Sequence, residues 1–303
     1  MKQNASKVLM VRPAHFGFNE QTAGNNYFQQ ATDQSTVNEQ AIKEFDAYVE
    51  LLRSNGIEVV VVQDTETPHT PDSIFPNNWF STHASGELVL YPMFAENRRQ
   101  ERKPAVLEYL NNTYKPYQTF DLTEWESKNL FLEGTGSLIL DHKAKIAYAC
   151  RSPRTSDEVL RDFCNKMGFT ALIFDSVDGK GNPIYHTNVM LTIADKYVVI
   201  CADSIKNDNE RKAVLDSFIR NGKEIIEISH EQVNNFAGNM MELVNKDGES
   251  LLIMSARAKD SLKSEQIENI TKYSRIVAPD LEIIETNGGG SARCMIAEIF
   301  DRK

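Results

Sequence analysis

The chain has 303 residues, with 33 Lys and Arg against 43 Asp and Glu, and its formal net charge is -10. No basic run offers a track for a phosphate backbone, which argues against a nucleic-acid partner. No apolar stretch nears the roughly 20 residues that span a bilayer, and the start Met1-Lys2-Gln3-Asn4-Ala5-Ser6-Lys7 is polar, so the expectation is an unprocessed cytoplasmic protein with no membrane partner.

In chain order, a lone strand is expected over 8–12. The polar segment 13–35, with Gly17, Gly24, Asn25 and Asn26, is too long for a bare connection; it reads as a lid over a site or, equally, as a surface loop. Ile42, Phe45, Tyr48, Val49 and Leu52 then share one helical stripe that Gly56 can end in the left-handed conformation, and 57–62 is a strand. From there a unit recurs: a polar turn, a hairpin, an amphipathic helix and a short β-branched strand. The hairpins cover 80–91, 137–149, 189–201 and 241–254, turning at Ser85-Gly86, near Asp141, at Asp195-Lys196 and at Asp247-Gly248. Pro104 suits the first turn of one helix. Thr155-Ser156-Asp157-Glu158 has the capping-box pattern and opens another, closed by Gly168 before a strand at 170–174. A helix over 210–221, stopped by Gly222, leads into a strand at 223–228, the last helix covers 264–273, and a single strand over 295–300 follows.

A hairpin, a helix and a strand repeated with a roughly 54-residue period form the pattern of a repeat closed into a ring, because one unit cannot bury its own faces. The lone first and last strands complete a fifth unit if they pair. The expected fold is therefore α/β, a five-bladed propeller of ββαβ units around a pseudo-fivefold axis, with residues 1–303 forming one domain.

Asn78, Glu133, His186, Asn239 and Cys294 each stand just before the first hairpin strand of their unit, 55, 53, 53 and 55 positions apart. Equivalent positions in a ring face one axis, so these five side chains are expected to converge on a central hole. Singly each is weak: Cys294 reads as a small buried hydrophobe, His186 as a core histidine, Glu133 as a turn cap, Asn78 as Asx-turn chemistry, and neighbouring Trp79 as core. Kept in phase, they point to a site. His186 beside a cysteine can carry protons near neutral pH. Glu133, followed by Gly134 and Gly136, either orients the imidazole or accepts substrate N–H groups. The run Asn287-Gly288-Gly289-Gly290-Ser291-Ala292-Arg293-Cys294 can bring backbone N–H groups toward charge developing at the thiol. A phosphate loop is disfavoured, since no Gly-Lys-Ser/Thr follows. The loop 178–182, just before His186, is a second candidate cover. Cys150, Cys164 and Cys201 lie far from one another and from Cys294 with no C-x-x-C pair, so reduced thiols are expected, without a zinc knuckle or redox motif.

These motifs resemble those of the guanidino-group-modifying superfamily of arginine deiminases, amidinotransferases and dimethylarginine dimethylaminohydrolases, whose fold is a five-bladed α/β propeller, the pentein. The resemblance runs the length of the chain. Pro71-Asp72-Ser73-Ile74-Phe75-Pro76-Asn77-Asn78 is similar to the family's stretch ending in Glu-Asp or Arg-Asp, and Glu133-Gly134 to its Glu-Gly-Gly-Asp motif. Ser152-Pro153-Arg154-Thr155 is similar to Ser-x-Arg-Thr, His186-Thr187-Asn188 to His-x-Asp, and Cys294 to the terminal cysteine. The resemblance implies Cys294 as nucleophile, His186 as acid and base, Glu133 as a substrate carboxylate and Arg154 as partner of a substrate α-carboxylate. Asn77, Asn78, Asn188 and Asn239 fall among the implied substrate contacts, and Asp72 is a candidate for the α-amine. A small amino acid is the implied partner, no metal or organic cofactor is called for, and a homo-oligomer is left open.

Asn78 and Asn188 depart from the family pattern, because deiminases place aspartates there. A guanidinium only donates hydrogen bonds and wants carboxylates, whereas a ureido group presents a carbonyl oxygen that an amide N–H can serve and a carboxylate cannot. A buried acceptor without a donor costs about 1–3 kcal/mol. Both exchanges therefore point to citrulline, and the Phe-Pro-Asn-Asn-Trp and His-Thr-Asn patterns resemble the bacterial citrulline ureidases. The expected activity is a cysteine hydrolase that yields ornithine, ammonia and carbon dioxide through S-carbamoyl-cysteine. The alternatives are an amidinotransferase, deiminase or dimethylaminohydrolase on an arginine-like substrate, and a non-catalytic propeller module such as serves in ribosome biogenesis. The joint presence of Cys, His and Glu with an acidic net charge argues against the last.

Overall fold

The computed structural model describes residues 2–301. β1 (Lys7–Arg12) and β2 (Glu58–Gln63) run parallel, with Val8 opposite Val59 and Met10 opposite Val61. Parallel neighbours need a crossover, here the helix Val37–Ser54, which buries Val37, Ala41, Phe45, Tyr48, Val49 and Leu52 on one stripe. Gly56, at φ +80°, then turns the chain into β2.

The same grammar recurs. β3 (Phe80–Thr82), β4 (Glu87–Leu90) and β5 (Gln118–Asp121) form one sheet, and β6 (Ile139–Asp141), β7 (Ile146–Cys150) and β8 (Thr170–Phe174) the next. β9 (Leu191–Ile193), β10 (Tyr197–Ile200) and β11 (Glu224–Glu227) precede β12 (Met241–Val244), β13 (Ser250–Ile253) and β14 (Arg275–Val277). Finally β15 (Ala297–Ile299) returns to lie antiparallel to β1, pairing Lys7 with Ile299 and Leu9 with Ala297. In all five sheets the middle strand is antiparallel to one neighbour and parallel to the other. The lone end strands do complete a fifth unit.

The ring expected from the repeat is not a closed ladder: each sheet stays three strands wide. Neighbouring sheets meet through their innermost strands instead, β3 against β15, β6 against β9, and β9 against β12.

The crossover helices form where the apolar pattern placed them, at Pro104–Tyr109, Asp157–Met167, Asp208–Arg220 and Ser264–Thr271. Pro104 takes the first helical turn, and Gly168, at φ +67°, ends the second of these helices. The capping box at Thr155 does not form. Ser156 is the N-cap residue without a side-chain cap bond; its Oγ accepts from the Phe131 N–H, and Thr155 Oγ1 donates to Ser137 Oγ. Both hydroxyls are drawn into bracing the turn that carries Glu133, a tertiary demand outweighing a local one. The helix Glu282–Gly288 lay unread in front of the glycine run. All four cysteines are free, and among the described residues no helix is long and apolar enough to cross a membrane. Among the described residues no cluster of three or more His, Cys, Asp or Glu is placed to hold a metal ion.

Where the chain ends meet, His142 lies edge-on to Phe300, 5.1 Å between ring centres, and to His83 at 5.8 Å. Burial, assisted by Lys145, pushes its pKa down to about 4, against about 6.5 for an exposed histidine. The unfolded chain therefore takes up the proton first, so this contribution to stability is whole above about pH 6.5 and is lost as pH falls toward 4. His142→Gln should remove about 2 kcal/mol of the stability lost between pH 7 and pH 5. Urea-unfolding midpoints at both pH values check this; an undiminished drop in the variant contradicts it.

Candidate active site

Three of the in-phase residues sit on short helical turns that lead into innermost strands. Pro76–Asn78 precedes β3, Gly134–Ser137 precedes β6 with Glu133 at its start, and Thr187–Val189 precedes β9 with His186 at its start. Such turns place side chains at the strand ends with little freedom. Glu133 is wholly buried. Its Oε1 accepts from the Phe94 N–H at 3.0 Å, and its Oε2 lies 2.8 Å from His186 Nε2, 3.5 Å from Arg154 and 3.9 Å from Arg98. Burial pushes this carboxyl up, but Arg154, His186 and Arg98 together outweigh it and hold the group well below the usual carboxylate range.

For His186 burial wins. Its pKa falls to about 4, Glu133 pulling upward and Arg154 and Arg98 pushing with burial. The imidazole is therefore neutral at pH 7. An ionised carboxylate can only accept, so Nε2 carries the proton toward Glu133 and Nδ1 is left as a free base.

Cys294 is buried on a turn whose Cys294 N–H bonds the Ser291 carbonyl at 2.9 Å. Two side-chain amides point at its sulfur: Asn239 Nδ2 at 3.2 Å and Asn188 Nδ2 at 3.4 Å. Asn78 gives its Oδ1 to Arg98 Nη1 at 2.7 Å, which leaves its Nδ2 buried without a protein partner. Cys294, His186, Asn78, Asp72, Arg98, Arg154 and Tyr185 line one narrow pocket, closed by Gly288, Gly289, Gly290, Asn26 and Phe75. The five in-phase side chains thus gather in one place: Asn78, His186 and Cys294 at the pocket wall, Glu133 and Asn239 bonded behind them.

Part of the N–H supply of the glycine run is spent locally. The N–H groups of Gly289 and Cys294 are consumed by local carbonyls, and the donors that reach the sulfur are the two asparagine amides. What the glycines supply is room. A Cβ on Gly288 would sit 2.8 Å from the Phe75 ring, and one on Gly290 2.9 Å from the same ring and 3.3 Å from Cys294 Cβ.

Asp72 lines the pocket; its Oδ2 accepts from Asn19 Nδ2 at 2.7 Å while Oδ1 is buried without a protein partner. Arg154 lies over the Tyr185 ring at 4.8 Å, and its fork is spent on Glu133, on Asn25 Oδ1 and, at 3.2 Å, on the Thr22 carbonyl. Asn77 stands outside the pocket lining, against the Gly134 turn. Segment 13–35 lies over the site: Asn26 bonds the Gly288 carbonyl at 3.2 Å and Thr32 bonds Asn287 at 2.7 Å. Loop 178–182 is folded on its own Asp178 and stays out of the lining.

With Tyr185, Arg98 is a pocket residue that the sequence reading missed. It belongs to the helical turn Glu96–Arg99, whose charged composition reads as a solvated face, yet Arg98 is buried against Glu101 at 2.8 Å. The only written sign was its i, i+3 pairing with Glu101.

Comparison with known proteins fits this geometry. The family model described as N,N dimethylarginine dimethylhydrolase, eukaryotic, matches residues 12–301. No curated protein matches the chain. Among solved structures, the apo form of ArgZ, an arginine dihydrolase from the ornithine-ammonia cycle in cyanobacteria, superposes with a TM-score of 0.77 at 15% identity, over 97% of this chain and 40% of that one. AgrE, in a cysteine-to-alanine variant complexed with L-arginine, gives 0.78 at 17% identity, over 98% and 40%. This chain therefore spans well under half the length of those two proteins. A dimethylarginine dimethylaminohydrolase variant, as an adduct with S-methyl-L-thiocitrulline, gives 0.64 at 16% identity, over 97% and 99%. At these identities the structural likeness is one of fold, and it is the sequence match across almost the whole chain that decides kinship. The chain belongs to the N,N-dimethylarginine dimethylhydrolase family.

Proposed function

We propose that this enzyme hydrolyses the ureido group of citrulline, giving ornithine, ammonia and carbon dioxide, and that its five units stand as the blades of a single propeller domain around the pocket. The observation that carries the reading is the set of amides at the reacting end. Arg98 fixes the oxygen of Asn78, so the end of that amide left for a substrate is a donor. Asn188 likewise turns its Nδ2 toward the thiol. A ureido oxygen needs such donors. An arginine or methylarginine side chain would bring a cation to a wall already holding Arg98 and Arg154, with Glu133 committed to His186. The free Oδ1 of Asp72 suits an α-ammonium. The planar fork of Arg154 suits an α-carboxylate once Asn25 and Thr22 give way. Four free thiols fit a reducing cytoplasmic setting.

The chemistry follows from these positions. The Cys294 proton passes to Nδ1 of His186, and the imidazolium so formed is steadied by Glu133. The sulfur adds to the ureido carbon while Asn78 and Asn188 hold the oxygen. His186 returns the proton to the δ-nitrogen of ornithine as that C–N bond breaks, leaving S-carbamoyl-cysteine. Water, deprotonated by His186, releases carbamate, which falls apart into ammonia and carbon dioxide.

Incubation with citrulline, arginine and dimethylarginine in parallel, with ornithine and ammonia measured, tests the substrate: turnover of citrulline is expected, and ornithine from arginine alone would replace this reading with its rival. Cys294→Ser should lower turnover about a thousandfold or more with an unchanged melting temperature. Asn78→Asp should reduce kcat/KM for citrulline about 10²–10³-fold, as for loss of one donor to a developing oxyanion. Gly136 offers a steric test, because its φ lies outside the left-handed region while a Cβ there would fall 2.5 Å from Asn78 Nδ2 and 2.7 Å from His186 Nδ1. Gly136→Ala should cost about 1–3 kcal/mol of stability and drop kcat at least tenfold; native-like kinetics in that variant would separate the imidazole from the chemistry.

A further inference from the structure

We propose that Asn239 is a catalytic residue of this enzyme, its side-chain amide stabilising the thiolate that Cys294 forms during reaction through a direct N–H···S bond, with Asn188 as second donor. The inference rests on the reading of Cys294 as the nucleophile. Activation by a standing imidazolium partner is ill served by this site, because burial keeps His186 neutral and its Nε2–H is turned to Glu133. The cations on the pocket wall are spent elsewhere, Arg98 on Glu101 and Asn78, Arg154 on Glu133 and Asn25. The other ionisable groups near the sulfur are Tyr48 of the 37–54 helix, Tyr185, and the adjacent Arg293, which is buried beside Glu298. Asp72 shares the pocket from the far side. What touches the sulfur is amide.

The orientation of Asn239 is fixed by its surroundings. Nδ2 also bonds the main-chain oxygen of Asn188 at 3.1 Å, and a carbonyl oxygen accepts only a donor, so the nitrogen end must face Asn188 and the sulfur together. The loop that carries the residue is equally constrained. Phe236 sits at φ +61°, the Asn239 N–H bonds the Phe236 carbonyl at 2.8 Å, and a Cβ on Gly238 would lie 2.1 Å from the Val189 carbonyl oxygen. The Asn239 turn is thereby pressed onto the turn carrying Asn188.

The electron flow is simple. In the resting thiol, S–H faces Asn239 Oδ1 at 3.6 Å. When that proton leaves for His186 Nδ1, the sulfur keeps the electron pair and the two N–H donors stabilise it. The pair then forms the S–C bond. On hydrolysis of the carbamoyl thioester the S–C bond breaks, the pair returns to sulfur, and the same donors receive it before the proton comes back from His186.

The test is the pH profile of iodoacetamide alkylation of the full chain between pH 5 and 10, read at Cys294 by mass spectrometry, with citrulline kinetics alongside. Asn239→Ala should alkylate about tenfold more slowly at pH 7, its profile displaced upward by about one pH unit. The near-isosteric Asn239→Asp, which preserves shape should the alanine variant melt early, should be slower still. In both, kcat should fall at least tenfold while KM changes less than threefold. Alkylation profiles that superpose on the native one in both variants would overturn the proposal. A Cys294→Ser chain that still turns over citrulline would instead remove the nucleophile reading beneath it.

Discussion

Keeping one buried carboxylate charged is the constraint that organises this site. A naked carboxylate inside a protein costs far more than the fold could bear, so it must be surrounded by donors. Glu133 is surrounded by the Phe94 N–H, His186, Arg154 and Arg98. Each of those partners is then no longer free to do something else. His186 gives Glu133 its Nε2–H and is left with a bare Nδ1, while Arg98, 3.9 Å from Glu133, grips Asn78 by the oxygen. The tautomer of the imidazole follows from that desolvated charge, while its neutrality follows from burial and the facing of the amide from Arg98, which Glu101 holds at 2.8 Å.

The same charge reaches the covering segment. Arg154, stacked on Tyr185 and drawn to Glu133, spends the rest of its fork on Asn25 and Thr22. Residues 13–35 are thus fastened to the site by the arginine whose geometry best matches a carboxylate, and their other anchors, Asn26 on Gly288 and Thr32 on Asn287, lie on the stretch leading to the thiol. On the proposed reading, a substrate carboxylate would compete with the cover for one guanidinium, so that entry would be tied to opening without a separate hinge signal.

Much of this was legible in the sequence because it depends on period. Hairpins turn at small residues, helices carry one apolar stripe, and polar residues before each innermost strand keep phase, so the five sheets and the meeting of Asn78, Glu133, His186, Asn239 and Cys294 could be read from spacing alone. What escaped depends on contacts between units. Arg98 looked solvated because nothing in its own turn announces that Glu101, Asn78 and Glu133 will surround it. Ser156 and Thr155 looked like a helix cap because their calling to the Glu133 turn comes from a distant part of the chain. The glycines before Cys294 looked like anion donors, whereas the bulk they accommodate belongs to Phe75 and Asn26. The sheets fit an open ring because side chains, not ladders, join one to the next, a distinction that strand periodicity does not encode.

The pairing of Lys7 with Ile299 has a topological result. It sets the first and last strands of the described residues side by side in one sheet. A chain rejoined there and opened between β8 and β9 would revisit the same spatial neighbours in rotated order, since every sheet repeats one strand arrangement. On the proposed propeller, circular order around the pocket, rather than linear order along the chain, is what the architecture would keep.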